Sequence, residues 1–202
     1  MMIRETAYNE IFDAQRHFRS IMDSMARPGK TNTLSEPDIS TPEGLNKASA
    51  LVGFALLNPD VTFFSGTYPE TVKEYFYTNT SSLGADAATA DFIFINGKHN
   101  TAAIEEAKEG IDTYPETSAF IVIDTENIST TPLKNSIAIT LTGPGIETKS
   151  VFYIKGISSA LVDIIKVKNM EYPLGIETIF TDKEGCIVCI PRSSHIEHHE
   201  VG

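Results

Sequence analysis

The sequence has only two cysteines and no long apolar run, and each shortage rules out a class of protein. Two cysteines cannot form the disulfide framework of a small secreted domain. No apolar run approaches the ~20 residues that a membrane-spanning helix needs. The N-terminal stretch MMIRETAYNEIFDAQ lacks the apolar core of a signal peptide. We therefore expect a cytoplasmic protein that does not span a bilayer.

Basic residues are scarce as well. The chain carries 16 Lys and Arg against 27 Asp and Glu, which gives a formal net charge of -11, and no basic block offsets this charge locally. A negative field of this size repels polyanions, so bulk binding to nucleic acid is excluded. A small phosphorylated ligand is still compatible with the sequence, because a few arginines or backbone N–H groups can hold one phosphate.

The order of the predicted elements indicates an α/β fold. The chain of 202 residues can bury one sizeable core, and it contains no linker or repeat, so we predict a single domain over residues 1–202. Helix signals place one helix between an Asn9 cap and Pro28, and a second between a Thr41 cap and Asn58. The rest of the chain alternates predicted strands (61–65, 91–95, 119–123) with predicted helices (69–77, 101–109), has a loop at 78–90, and ends in a strand pair, a helix and a hairpin. This order predicts a mixed sheet.

The closing stretch CIVCIPRSSHIEHHEVG contains two apparent sites that the local geometry does not support. Cys186 and Cys189 fall in a predicted strand, where residues three apart point to opposite faces. The two thiols therefore cannot share a metal ion, and we interpret them as ordinary strand thiols. The side chains of the consecutive residues Ser193, Ser194 and His195 diverge, so they do not form a nucleophile with its base.

Three histidines lie among the last eight residues of the sequence, at positions 195, 198 and 199. On a helix their imidazoles could lie together and bind a metal adventitiously. Chain termini usually fray, however, and we expect the last few residues to form a solvated, flexible tail.

Two further patterns are ambiguous. The segment TGPGIE contains Gly143 and Gly145, but it has no third glycine and no helix after it, so a tight turn is favoured over a dinucleotide loop. Asp124 ends a buried strand and Lys155 ends another, and pyridoxal-phosphate enzymes use an Asp and a Lys in this way. Neither residue lies in a distinctive motif, so a strand-end acid and a solvated lysine are the simpler interpretation.

Four segments together resemble a known family. In order and spacing they are similar to PhnH, the H subunit of the bacterial carbon–phosphorus lyase system: DAQRHFRSIMDSMARPG, LTGPGIE, YPLGIETIF and CIVCIPRSSHIE. The resemblance implies a cytoplasmic protein of phosphonate utilisation. It also implies a three-layer α/β/α fold with a mixed sheet, similar to the major domain of pyridoxal-phosphate transferases but without the cofactor or its lysine.

The resemblance implies partners too. Proteins of this family form homodimers and join subunits G, I and J in a core complex, which attaches the phosphonate to the ribose C1 of ATP in place of adenine. We therefore expect a non-catalytic subunit of that complex, with no cofactor or metal ion of its own. Two alternatives stay open, a stand-alone pyridoxal-phosphate transferase that uses Lys155 and a purely structural assembly scaffold.

The candidate ligand or interface residues are Arg19, Gly143, Gly145, Arg192, Ser193 and Ser194. The guanidinium groups of the two arginines suit a phosphate or phosphonate, as carried by ATP or an alkylphosphonate. The two serine hydroxyls would add donors, and the two glycines allow a close backbone approach. A salt bridge or a dimer contact is an equally good use of the arginines.

Overall fold

Five α-helices and eleven strands build the fold in the computed structural model, which describes residues 4–34, 36–98 and 101–202. The helices are α1 (Phe12–Ala26), α2 (Lys47–Leu56), α3 (Glu70–Thr80), α4 (Ala102–Glu106) and α5 (Ser159–Lys168). The strands are β1 (Asn32–Thr33), β2 (Thr62–Phe64), β3 (Leu83–Gly84), β4 (Phe92–Asn96), β5 (Phe120–Asp124), β6 (Asn127–Ser129), β7 (Ser136–Thr142), β8 (Ser150–Lys155), β9 (Glu177–Thr181), β10 (Cys186–Ile190) and β11 (His195–Val201).

The strands form two sheets. The larger sheet has seven strands in the order β1-β10-β9-β5-β4-β2-β3. Strands β9, β5, β4, β2 and β3 run parallel, whereas β10 pairs antiparallel with both β9 and β1, which confirms the mixed sheet. The smaller sheet is antiparallel, with the order β11-β7-β8-β6.

Both faces of the large sheet are buried, and the alternation of side chains along β4 shows how. Phe92 and Phe94 pack into a cluster with α1, α2 and α3, whereas Ile93 and Ile95 pack into a second cluster with α4, α5 and the small sheet. Successive strand residues point to opposite faces, so one apolar run serves both clusters. The mixed α/β class is confirmed, but the layer that the resemblance implied to be helical also contains a four-stranded sheet.

Helix α1 has the predicted cap, but α2 begins later than expected. Asn9 Oδ1 accepts the N–H groups of Ile11 (3.0 Å) and Phe12 (2.8 Å) at the start of α1. The predicted Thr41 start of α2 is wrong: Asn46 is extended (φ -64, ψ 142), and the helix begins at Lys47. The Asn46 N–H is bound by Asp124 at 2.8 Å, a contact across 78 residues that local sequence signals cannot reveal. The predicted loop at 78–90 includes the end of α3 and strand β3.

The expected solvated tail is also wrong. Residues His195–Val201 form β11, which pairs with β7 along all seven residues. Ile196 is buried, and His198 Nε2 lies 3.7 Å from Asp163 Oδ1 on α5. The free edge of β7 is a better partner for these residues than water, because pairing satisfies backbone groups on both strands.

In the described ranges, no helix combines the length and apolar character that crossing a membrane requires.

Candidate functional site

The turn Gly143–Pro144–Gly145 brings three of the family-like segments together. The carbonyl of Gly143 accepts a hydrogen bond from the Ile146 N–H (3.2 Å), and both glycines have positive φ (127° and 80°). A Cβ on Gly145 would lie 2.4 Å from the Ala26 carbonyl oxygen at the end of α1. A Cβ on Gly143 would lie 2.9 Å from the Ser193 carbonyl oxygen. The glycines therefore let this turn pack against protein backbone on two sides.

Arg192 lies at the exit of β10 and is held by an ion pair. Its Nε donates to Glu177 Oε1 at 2.6 Å, and its backbone N–H donates to Glu177 Oε2 at 3.1 Å. Its Nη1 donates to the carbonyls of Pro115 and Pro173. Both charged side chains are about 15% exposed (15% and 14%). The salt bridge that sequence analysis left open for Arg192 is therefore present, and most of its charge is balanced inside the fold.

Arg192, Ser193 and Ser194 line one cleft of about 590 Å³, here called the C-terminal cleft. Its walls come from the turn after β7, the end of α5, and the segment from β10 into β11 (Pro144, Lys166, Asn169, Met170, Tyr172 and 192–197). This volume lies within the range of small-molecule sites.

Two buried polar atoms beside this cleft have no partner among the described residues. These atoms are Ser194 Oγ and Asn169 Nδ2. Asn169 Oδ1 accepts the Ile176 N–H at 2.8 Å, which fixes the orientation of the amide. Buried polar groups are normally hydrogen-bonded, so each of these two atoms can still form a hydrogen bond. Ser194 Oγ makes no hydrogen bond to His195, which agrees with the prediction that they are not a nucleophile and base.

The charge of the C-terminal cleft comes chiefly from Lys166. Its side chain is exposed and forms no ion pair within the described part of the chain, whereas the Arg192 charge is balanced by Glu177. Glu197 supplies one opposing carboxylate, and Met170 (73% exposed) and Tyr172 (68% exposed) form an apolar rim. The cleft can therefore hold an anion that also carries an apolar group.

Arg19 does not belong to this cleft. It lies on an exposed part of α1 and is absent from the residues that line the cleft in the described chain. Sequence analysis missed Lys166 and Asn169, because they lie more than twenty residues before Arg192 in a helix with no local motif.

Asp124 forms a separate buried network at the carboxyl end of β5. Its carboxylate accepts hydrogen bonds from the Asn46 N–H (2.8 Å), Tyr68 OH (2.7 Å), Thr181 Oγ1 (2.9 Å) and Ser49 Oγ. Burial raises the pKa of Asp124, and hydrogen bonds from Ser49 and the other donors oppose that rise. The network joins α2, the segment after β2, and β9. The carboxylate of Asp124 therefore has a structural role, because it links these three parts of the fold.

Lys155 is solvated, as the simpler interpretation had it. Its side chain is 46% exposed, and its Nζ lies 3.6 Å from Glu126 Oε2. With every oxygen of Asp124 already engaged by protein donors, the pair does not form the arrangement in which an Asp binds a pyridinium nitrogen.

The cysteines occupy opposite faces of β10, as predicted. Cys186 packs toward the cluster with α4 and α5, and Cys189 is fully buried in the cluster with α1 to α3. Burial raises the pKa of the Cys186 thiol to about 12. Within the described residues, no group of three or more His, Cys, Asp or Glu side chains is placed to hold a metal ion.

Comparison with known proteins covers nearly the whole chain. A family model described as bacterial phosphonate metabolism protein (PhnH) matches residues 6–197. A curated relative from Rhizobium meliloti (strain 1021), alpha-D-ribose 1-methylphosphonate 5-triphosphate synthase subunit PhnH, is 26% identical over 190 residues. The alignment covers 93% of this chain and 92% of the relative. The family match includes the turn at Gly143–Gly145, Arg192 and both serines, and the chain belongs to the PhnH family of bacterial phosphonate metabolism proteins.

Proposed function

We propose that this protein is a non-catalytic subunit of the complex that makes alpha-D-ribose 1-methylphosphonate 5-triphosphate during phosphonate breakdown. The match of residues 6–197 to the PhnH family carries this proposal, and the name of the Rhizobium relative supports it. In this reaction an alkylphosphonate replaces adenine at the ribose C1 of ATP. A non-catalytic role accords with Ser194, which lacks a base, and with Asp124, whose carboxylate is occupied.

Growth on methylphosphonate as the sole phosphorus source tests this role. In a host that carries the pathway, deletion of the gene should abolish growth on methylphosphonate and leave growth on inorganic phosphate unchanged. Supplying the gene on a plasmid should restore growth. Normal growth of the deletion strain on methylphosphonate would contradict the proposal.

Within this role, the C-terminal cleft is our proposed site for the phosphonate. Lys166 provides the unbalanced positive charge, Ser194 Oγ and Asn169 Nδ2 provide unused polar groups, and the apolar rim accommodates an alkyl group. Arg192 and Ser193 form part of the wall, and Gly143 allows the turn to pack closely against the Ser193 backbone.

Calorimetry with methylphosphonate tests the cleft. Lys166→Gln should weaken binding about tenfold, the value of one charge-assisted hydrogen bond. Lys134→Gln, at an exposed position outside the lining of the cleft, should leave the affinity unchanged. Equal affinity of the wild type and the Lys166 variant would contradict the proposed phosphonate site, but it would not contradict the proposed role in the complex.

An assembly role is favoured by a separate observation on α1. Its exposed face carries Phe12 (73% exposed), Phe18 (46%) and Met22 (54%), and Ile11 (74%) lies directly before the helix. We propose that this face takes part in the homodimer or in contacts with subunits G, I and J, since apolar patches of this kind mark interfaces. Co-expression with those subunits and size-exclusion chromatography should give a co-eluting complex that Phe18→Asp together with Met22→Asp disrupts.

A further inference from the structure

A second pocket, here called the strand-end pocket, lies at the carboxyl ends of β4 and β5. It has a volume of about 460 Å³, and its walls are Gly44–Lys47, Asn96, Lys98, Asp124–Glu126, Gly156 and Lys183. In open α/β sheets, the crevice beyond the carboxyl ends of parallel strands is the usual place for a ligand. Lys98 and Lys183 follow β4 and β9, so two parallel strands deliver their lysines to this crevice.

The strand-end pocket concentrates positive charge in an acidic protein. Lys47, Lys98 and Lys183 line it from three separate segments, although the whole chain has a formal charge of -11. The lining contains two carboxylates, but that of Asp124 is covered by four hydrogen-bond donors. Glu126 is therefore the acidic side chain that can compete with a ligand for the lysines.

The ion pairs of these lysines are weak enough to exchange. Lys98 pairs with Glu126, and Lys47 Nζ lies 2.8 Å from Asp38 Oδ1, a carboxylate that is fully exposed. Lys183 forms no ion pair within the residues that the structure describes. Solvent-exposed ion pairs of this kind contribute little to stability, so an anion with several charged oxygens can displace Glu126 and Asp38. The hydrogen bond from Lys98 lowers the pKa of Glu126.

We propose that the strand-end pocket binds a small molecule carrying a polyphosphate chain, through Lys47, Lys98 and Lys183, and that Glu126 pairs with Lys98 when the pocket is empty. Three cations on separate walls suit a ligand with several linked anionic groups better than one with a single charge. The site shares no lining residue with the C-terminal cleft, so it does not depend on the phosphonate proposed there.

Calorimetry with inorganic tripolyphosphate on the full chain tests this site. Lys98→Gln and Lys183→Gln should each raise the Kd about tenfold, because each removes one charge-assisted contact. Glu126→Gln should lower the Kd, because it releases Lys98 and Lys155 from their carboxylate partner. A purely structural role for these side chains would not produce opposite changes in affinity.

Lys149→Gln is the matched control, since it removes the same charge from an exposed position. Lys149 comes directly before β8 and Gly156, which lines the pocket, comes directly after it, so the two residues are about 20 Å apart at the rise of an extended strand. The control should leave the Kd unchanged, and an equal loss there would show nonspecific attraction and overturn the site. No measurable tripolyphosphate binding by the wild type, or unchanged affinity in both lysine variants, would also overturn it.

Two further arms identify the source of the polyphosphate and separate the two sites. Titration with ATP should give a Kd equal to or lower than that of tripolyphosphate, and a lower value assigns additional contacts to the nucleoside. Lys166→Gln should leave the tripolyphosphate Kd unchanged, since Lys166 lies in the other cleft. A tripolyphosphate Kd that responds to Lys166 and not to Lys98 would move the binding to the C-terminal cleft and overturn the strand-end site.

Discussion

The C-terminal cleft and the strand-end pocket use their charged residues in opposite ways. In the first, Arg192 and Glu177 are about 15% exposed, and their pair joins the end of β10 to the start of β9. In the second, Lys98 and Glu126 are 49% and 31% exposed and belong to the segments that follow two strands. A buried pair must keep its partner, because an uncompensated charge would be costly, whereas an exposed pair can exchange its partner for a ligand. Arg192 therefore stabilises the fold, whereas Lys98 is available to bind a ligand.

Removal of the Glu177 charge should have the largest effect on stability. Glu177→Gln leaves the Arg192 guanidinium without its carboxylate, and we expect a loss of about 3 kcal/mol in the free energy of unfolding. Urea denaturation measures this loss, with Glu147→Gln on an exposed loop as the control. A loss no greater than that of the control would show that the Arg192–Glu177 pair does not stabilise the fold more than an exposed ion pair does.

A methyl group at Gly145 should have a smaller but clear effect. Gly145→Ala adds a left-handed backbone cost to a 2.4 Å approach to the Ala26 carbonyl, and we expect a loss of about 2 kcal/mol. Gly44→Ala is a matched control, because Gly44 also has positive φ (89°) but its added Cβ meets nothing within 4 Å. Thermal unfolding should show a greater loss for Gly145→Ala, and equal losses would mean that the turn does not depend on close packing.

The smallest effect on stability is expected at Lys98. Lys98→Gln removes an exposed ion pair, so the free energy of unfolding should change by less than about 0.5 kcal/mol. The same variant should weaken tripolyphosphate binding. Lys98 would then contribute to binding and not to stability, whereas Glu177 contributes to stability. A stability loss as large as that of Glu177→Gln would show that Lys98 also serves the fold.

Much of the fold could be predicted where local patterns and tertiary contacts agree. Helix α1 has its Asn9 cap, β4 and β5 lie within or beside their predicted runs, and the two cysteines point to opposite faces of β10. These features depend on backbone periodicity and on side chains a few residues apart. The later start of α2 and the pairing of β11 depended instead on Asp124 and β7, which lie far away along the chain.

The candidate site was predictable only in part for the same reason. Sequence analysis selected Arg192 and the serines of the C-terminal cleft, but it could not reveal that Glu177 balances the arginine or that Lys166 lies in the same wall. It also named Asp124 without the donors that enclose its carboxylate, since Ser49 and Thr181 are 132 residues apart in the chain.

The sequence by itself determined the α/β class, the α1 cap, the strand periodicity and the resemblance to PhnH, because each is written in residue types at short spacing or in the order of motifs. Only the tertiary structure decided which lysine and arginine side chains lack a buried carboxylate partner. Whether a lysine or arginine can contact a ligand depends on its burial and on the carboxylates around it. Those carboxylates come from other segments: Glu177 lies 15 residues from Arg192, and Glu126 follows β5, the neighbour of the strand that Lys98 follows.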